Sequence, residues 1–233
     1  MKKITLVFAV FILIISCGRS TQDTMTVTGK VKGLKKGTLY LQKFNDNSLI
    51  TIDSVEAKGD GSFTFKTAVK NPELFNLYLN KEDHNDFNDR ISFFGESGVI
   101  TIDTSWDNFD HKATISGSES NEKFQEYRSM MSKFNIKTIE IAQNAQNVAA
   151  SLNSAQIDSI QKLSDLNVKK SYAYALNFAL RNTNSTIAPY IAVYEVPDAN
   201  RKYLDSIYSS LEEEISSSKY GKELQKHLQK LPK

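Results

Sequence analysis

Between residues 24 and 117 apolar side chains recur at every second position, in short runs broken by turn signals roughly every 8 to 14 residues. Alternation of this kind turns one face of each run inward, so it predicts antiparallel strands closing into a sandwich or barrel. Strands are expected over residues 25–32, 38–44, 49–56, 62–67, 74–80, 90–94, 99–104 and 112–116. Along them Met25, Val27 and Val31, Leu39 and Leu41, and Phe63 and Phe65 fall on the core face. The breaks between runs have physical causes. Gly33 and Gly37 enclose one turn, Asp60 followed by Gly61 suits the backbone of a tight hairpin, and Gly95 to Gly98 supply another.

After Gly117 the period lengthens. Phe124, Tyr127, Met131, Phe134, Thr138, Ile141, Ala145 and Val148 are three and four apart, which lays one apolar stripe along a helix of about 30 residues. Asn153 with Gln156 three residues on has the form of a capping box. It opens a second helix through Ile160, Leu163, Val168, Tyr172 and Leu176 to about Arg181. Ser185 is placed to cap a short third helix with Pro189 in its first turn, where the missing N–H is tolerated. Asp198 is placed to cap a fourth carrying Tyr203, Ile207 and Leu211, and residues 219–231 form a last one. Packing of these helices on one another is expected to cover the stripe, in preference to a coiled-coil dimer. The chain therefore reads as α+β: an antiparallel β-sandwich or barrel-like domain of about eight strands at residues 24–118, then an α-helical domain at 119–233.

The N-terminus has a different character. Lys2 and Lys3 precede an apolar run, broken only by Thr5, that ends at Ile15, and Ser16 then precedes Cys17. This is the three-part layout of a secretory signal. The run of about 12 residues falls short of the roughly 20 that span a bilayer. Ile14, Ile15, Ser16 and Cys17 resemble the bacterial lipobox. That resemblance implies removal of residues 1–16 as a signal peptide and a diacylglycerol on Cys17, with 17–23 as a lipidated tether. Two or more acyl chains hold a protein stably on a membrane, where one binds marginally. Gly18 after the cysteine, in place of the Asp that retains lipoproteins in the inner membrane, implies the outer membrane of a Gram-negative bacterium. The periplasmic leaflet is the default, since no acidic export run follows Cys17. From Cys17 to Thr24 is about seven residues, at most roughly 25 Å of extended chain, so the folded part is held close to the bilayer.

Composition then removes some chemistries. The 233 residues carry 29 Lys and Arg against 27 Asp and Glu, with 40% hydrophobic residues, enough for a sizeable core. Without Lys2 and Lys3 the basic count is also 27, and no basic block remains to neutralise phosphates. Nucleic acid is therefore not an expected partner.

Residues 26–41, which begin Thr-Val-Thr-Gly-Lys-Val and end Thr-Leu-Tyr-Leu, together with residues 53–65, which end Gly-Asp-Gly-Ser-Phe-Thr-Phe, resemble the family described as domain of unknown function 4369. That domain stands at the front of many lipid-anchored thiol-disulfide oxidoreductases, before a helical segment and a thioredoxin-like domain. Residues 178–187 resemble a step near the end of that helical segment. The working part of the thioredoxin-like domain is Cys-x-x-Cys, where one thiolate attacks and the second resolves. This sequence holds one cysteine, and no thioredoxin-like domain is expected after Pro232 and Lys233. The redox activity of the family is therefore not expected here.

Other chemistry is sparse. His84, His111 and His227 have no metal-ligand spacing, and the acidic stretch 82–89 lacks the Gly and distal Glu of a calcium loop, so no metal or cofactor is expected. No catalytic constellation is expected either. The stretch from Asp103 to His111 places the only Trp beside carboxylates on a loop of the β-scaffold. Asp103, Trp106, Asp107 and Phe109 are the candidate ligand-binding residues, since flat aromatics beside carboxylates can hold a sugar or peptide. A Trp folded back on the sandwich edge is the competing outcome. The expected function is a non-enzymatic interaction module anchored to the membrane through Cys17. The alternative is an accessory to thiol-disulfide exchange that docks a separate thioredoxin-like protein, with an unrecognised hydrolase in reserve.

Overall fold

A computed structural model describes residues 23–45, 48–81, 89–147 and 153–232. The leader, Cys17, His84 and most of the acidic stretch 82–89 lie outside these residues, as does Val148 of the helical stripe. All eight expected strands form, with ends displaced by at most two residues: β1 (Thr24–Lys32), β2 (Lys36–Asn45), β3 (Ser48–Lys58), β4 (Ser62–Ala68), β5 (Glu73–Asn80), β6 (Arg90–Gly95), β7 (Gly98–Ser105) and β8 (Thr114–Ser116). They make two four-stranded sheets in the orders β4-β1-β7-β8 and β3-β2-β5-β6. Met25, Val27, Val31, Phe63, Phe65 and Ile100 meet Leu39, Leu41, Phe75, Leu77 and Phe93 in the core of the first half.

One pairing departs from the antiparallel pattern. β1 and β7 run parallel, from Met25 opposite Gly98 to Lys32 opposite Ser105. A hairpin forces neighbouring strands to be antiparallel, but these two are joined through the whole second sheet, so no turn dictates their sense. They approach closely, and a Cβ on Gly29 would collide with the carbonyl oxygen of Ile102. Alternation shows which side chains face inward. It is silent on the partner and direction of a strand.

The second sheet is covered on both faces. Along β5 three consecutive residues, Phe75, Asn76 and Leu77, are buried. Asn76 is satisfied there by the hydroxyl of Ser92, which donates to its Oδ1 at 2.6 Å. Successive strand residues point to opposite faces, so Phe93 enters the sandwich core while Phe94 enters the helical half.

The helical half comprises α1 (Glu119–Asn147), α2 (Ser154–Arg181), α3 (Ile187–Tyr190), a π-helical turn at Ile191–Glu195, α4 (Arg201–Ser210), α5 (Glu213–Ser216) and α6 (Lys219–Lys230). The capping box of α2 is present in both directions. Asn153 Oδ1 accepts from the Gln156 N–H at 3.0 Å, and Gln156 Oε1 accepts from the Asn153 N–H at 2.9 Å. The predicted cap of α4 is different: Asn200 Oδ1 accepts from the Lys202 N–H at 2.9 Å. Asp198 instead accepts the Tyr172 hydroxyl at 2.6 Å. Pro189 sits in the first turn of α3 as expected, while α5 is too short to leave a periodic signal.

Phe94 locks the halves together. Its ring is fully buried, 5.1 Å from Phe124, 5.2 Å from Tyr190 and 6.0 Å from Tyr220, between centroids. β6 is a sheet edge, so Phe94 has a free N–H and C=O, which would attract further strand pairing if left bare. The N-terminus of α1 takes both. The Phe94 N–H donates to Asn121 Oδ1 at 3.1 Å, and the Ser118 hydroxyl donates to the Phe94 carbonyl at 3.0 Å. Ser118 Oγ also accepts from the Asn121 N–H at 2.9 Å, which caps the helix that covers the edge. From α6, the Tyr220 oxygen accepts the Leu74 N–H at 2.9 Å.

Away from this junction the burial of α1 and α2 fades. Phe124 and Tyr127 are buried, Met131, Phe134 and Ile141 are half-buried, and Thr138 is exposed. On α2, Ala175, Phe178 and Ala179 are buried, but Leu163 and Val168, expected on the covered stripe, are 55% and 49% exposed. The α2 side chains in the helical core, Ala175, Phe178 and Ala179, lie near its C-terminal end, and Asp198 meets the helix as far back as Tyr172, so the more distal part pairs with α1 as a two-helix arm. A single seam joins its helices, pinned where Asn167 Nδ2 donates to the Phe134 carbonyl at 3.0 Å and to Thr138 Oγ1 at 2.9 Å.

Phe94→Ala leaves a cavity among three aromatic rings and is expected to cost about 3 to 5 kcal/mol, read as a lower urea midpoint by circular dichroism. Burial also pushes the phenols of Tyr127, Tyr190 and Tyr220 well above their ordinary value of 10.0. A raised pKa favours the protonated form in the fold, so this stability is complete below pH 10 and lost as pH rises above it. Alkaline titration should show these three ionising together with unfolding, by tyrosinate absorbance and circular dichroism.

Candidate functional site

The segment from Asp103 to His111 leaves the end of β7 and returns to β8. Trp106 is held at its start by its N–H, which donates to the Lys32 carbonyl at 2.9 Å. Its ring is 48% exposed, with the Lys81 ammonium 5.6 Å from the ring centroid. That ammonium also pairs with Asp89 beneath the surface. Trp106 therefore rests against the sandwich edge in a cation–π contact and keeps about half its surface in water.

The other three expected residues do not converge with it. Phe109 is fully buried in the sandwich core, out of reach of a ligand, and its carbonyl accepts the Thr104 hydroxyl at 2.6 Å. Asp103 Oδ1 accepts from the Lys30 N–H at 2.9 Å and so braces the parallel β1–β7 pair. The Asp107 carboxylate is occupied by Lys112 Nζ at 3.0 Å and Asn108 Nδ2 at 3.2 Å. The alternation rule put Phe109 in a loop and hence outside. In the fold that loop doubles back and seats its ring in the core. Trp106, Asp103 and Asp107 are exposed, but both carboxylates are already engaged within the protein.

Two of the histidines have ordinary places. His111 is exposed, 3.7 Å from Asp110, and both border a polar cleft of about 500 Å³ against Arg90 and Arg128. His227 Nε2 lies 2.7 Å from the Pro197 carbonyl. Among the described residues no group of three His, Cys, Asp or Glu is arranged to hold a metal ion, and no helix is long and apolar enough to cross a membrane.

An apolar concavity lies elsewhere. A groove of about 660 Å³ runs along α2 beside the turn into α4. Val168, Tyr172, Leu176 and Leu180 form its wall from one helix face, with Tyr203 and Ala199 opposite. The spacing of four residues puts those side chains in one row. Val168 is 49%, Leu180 37% and Tyr203 51% exposed, so the ends of the row and the facing Tyr203 are open to solvent, while Tyr172 and Leu176 are half-buried against the helical core. The Tyr172 hydroxyl, donating to Asp198, fixes the polar rim. This site was missed because Val168, Tyr172 and Leu176 were read as the covered stripe. The signal was available: α2 also carries Ala175, Phe178 and Ala179, which need the core, so its apolar residues exceed one face.

Residues 25–124 match the family model described as domain of unknown function (DUF4369). The match spans all eight strands and runs into the first turns of α1, which hold Ser118, Asn121 and Phe124 against β6. The groove on α2 lies beyond it. No curated protein and no solved structure matches the chain.

Replacing the two aromatics of the loop separates their roles. Phe109→Ala is expected to cost about 3 to 5 kcal/mol. Trp106→Ala, at a half-exposed site, is expected to cost no more than about 1 kcal/mol. Urea denaturation of both variants checks this pair.

Proposed function

We propose that the protein is a lipid-anchored, non-enzymatic binding module whose working surface is the α2 groove, and that its occupant is an amphipathic helix of a partner protein. The observation that carries this is the row Val168, Tyr172, Leu176 and Leu180, four residues apart, with Val168 and Leu180 exposed at its ends and Tyr172 and Leu176 half-buried between them. An apolar groove along a helix accepts side chains at i, i+4 and i+7 of a second helix. Its wall is built of aliphatic and phenolic groups, which recognise by burial and not by reaction. The neighbouring arm extends the same character, since Ile136, Ile139, Ile157, Leu163 and Leu166 are each about half exposed. Contiguous apolar surface of this kind is characteristic of interaction sites. Anchorage through Cys17 at the outer membrane, on its periplasmic side, supplies the location. The tether leaves the body within reach of other proteins at that surface.

The groove is tested by Val168→Glu and Leu180→Glu, each at an exposed position and each expected to change the urea midpoint little. A photo-crosslinker placed at Tyr203 should yield a discrete adduct with one protein in the native background, and both variants should abolish it. A crosslinker at Trp106 should yield none. Adducts that persist undiminished in both variants would exclude the groove. The anchor is tested by Cys17→Ala, which should release the protein from the membrane fraction or stop its maturation.

A further inference from the structure

The first described residue of the fold, where the tether arrives, is Asp23. Its carbonyl accepts the Val69 N–H at 2.8 Å, which places the entry of β1 directly beside Lys70. Lys70 borders a cleft of about 400 Å³ that it shares with Lys43, Lys219, Lys222 and Lys226. Two carboxylates share that cleft. Glu73 is committed to Lys43 at 2.7 Å and Lys219 at 3.3 Å, and Glu223 accepts the Tyr194 hydroxyl at 2.9 Å. Five lysines against two glutamates leave the cleft net positive. Lys70, Lys222 and Lys226 are exposed and carry no ion pair among the described residues.

Apolar side chains stand beside the lysines. Phe44, in the same cleft, is 44% exposed, and Leu49, paired with it across the β2–β3 ladder, is 36% exposed. Val99, next to the Gly98 that pairs with Met25 at the start of β1, is 60% exposed. The mature chain as a whole has equal numbers of acidic and basic residues, so this concentration at one end is a local arrangement.

From these positions we infer that the lysine cleft is a membrane-facing surface, which docks the body onto anionic phospholipid headgroups at the end where the tether enters. The inference builds on the lipid-anchor reading, because the tether fixes which end of the sandwich meets the bilayer. Lysines bind phosphates as mobile point charges, and a basic cluster near a negative membrane gains favourable energy with each residue. Aromatic and aliphatic side chains at the rim suit the headgroup boundary. Docking would hold the body in one orientation, where a flexible tether alone leaves it free to turn.

The test uses the full-length protein reconstituted into vesicles of phosphatidylcholine alone or phosphatidylcholine with phosphatidylglycerol. An amine-reactive acylating reagent is applied and each lysine is read by mass spectrometry. Lys70, Lys222 and Lys226 should label several-fold more slowly on the anionic vesicles, while Lys137 and Lys162 on the arm label equally on both. High salt should remove the difference, and the double variant Lys70→Glu, Lys222→Glu, at two exposed positions, should remove it at the remaining Lys226. Equal labelling on the two vesicle types would overturn the inference. The acyl mass on Cys17, read from the same sample, separates the two ideas. Acylated protein with unprotected lysines leaves the anchor standing and removes the surface, while protected lysines without acylation do the reverse.

Discussion

The adjacent residues Phe93 and Phe94 constrain everything else in this molecule. Strand geometry sends their rings to opposite faces of one sheet, so the second sheet must be covered twice. The first sheet covers the Phe93 side. The Phe94 side requires the helices, and it binds them by ring contacts together with hydrogen bonds: Ser118 donates to the Phe94 carbonyl, while Asn121 and Tyr220 accept from the Phe94 and Leu74 N–H groups. The two halves that differ so clearly in periodicity are therefore one body with two cores. A sandwich released from its helices would expose Phe94 and the open edge of β6 together.

That junction also explains why the arm is bare. Aromatic residues at the base of α1 and α2 are used up around Phe94, and Tyr127, Tyr174 and Phe178 extend the cluster a short way outward. Farther out, past the bond from Tyr172 to Asp198, the two helices pair with each other. A two-helix layer buries one narrow stripe per helix, so the apolar residues on either flank of α2 remain in water. The groove and the arm are thus what the packing of the junction leaves over, and that surplus is where a partner has something to gain by binding.

Strand positions, the long helices and the capping box at Asn153 were legible in the sequence, because each rests on local period or on a hydrogen bond closed within four residues. The parallel β1–β7 pair was not, since its register is fixed by Gly29 meeting Ile102 across 73 residues. Asp198 failed as a cap because Asn200, two residues on, competes for the same role and Tyr172 offers Asp198 a different donor. Of the candidate site, Trp106 was read as a ligand-binding residue or as folded back on the sandwich edge, and it rests on that edge half exposed, while Phe109 was drawn into the core by a loop whose path no local pattern encodes. The groove was visible in the sequence only as an excess of apolar residues on α2. To see it required knowing which face α4 leaves open.

The most direct test of the two-cored body is native-state hydrogen exchange at the Leu74 and Phe94 amides. Both are bonded to side chains of the helical half and not to a neighbouring strand. If the halves fold as one unit, these amides exchange only through global unfolding, with the same free energy as core amides of Val27 and Leu77. Exchange of Leu74 and Phe94 at a markedly lower free energy, while Val27 and Leu77 stay protected, would show the helices opening from the sheet on their own and would contradict the account.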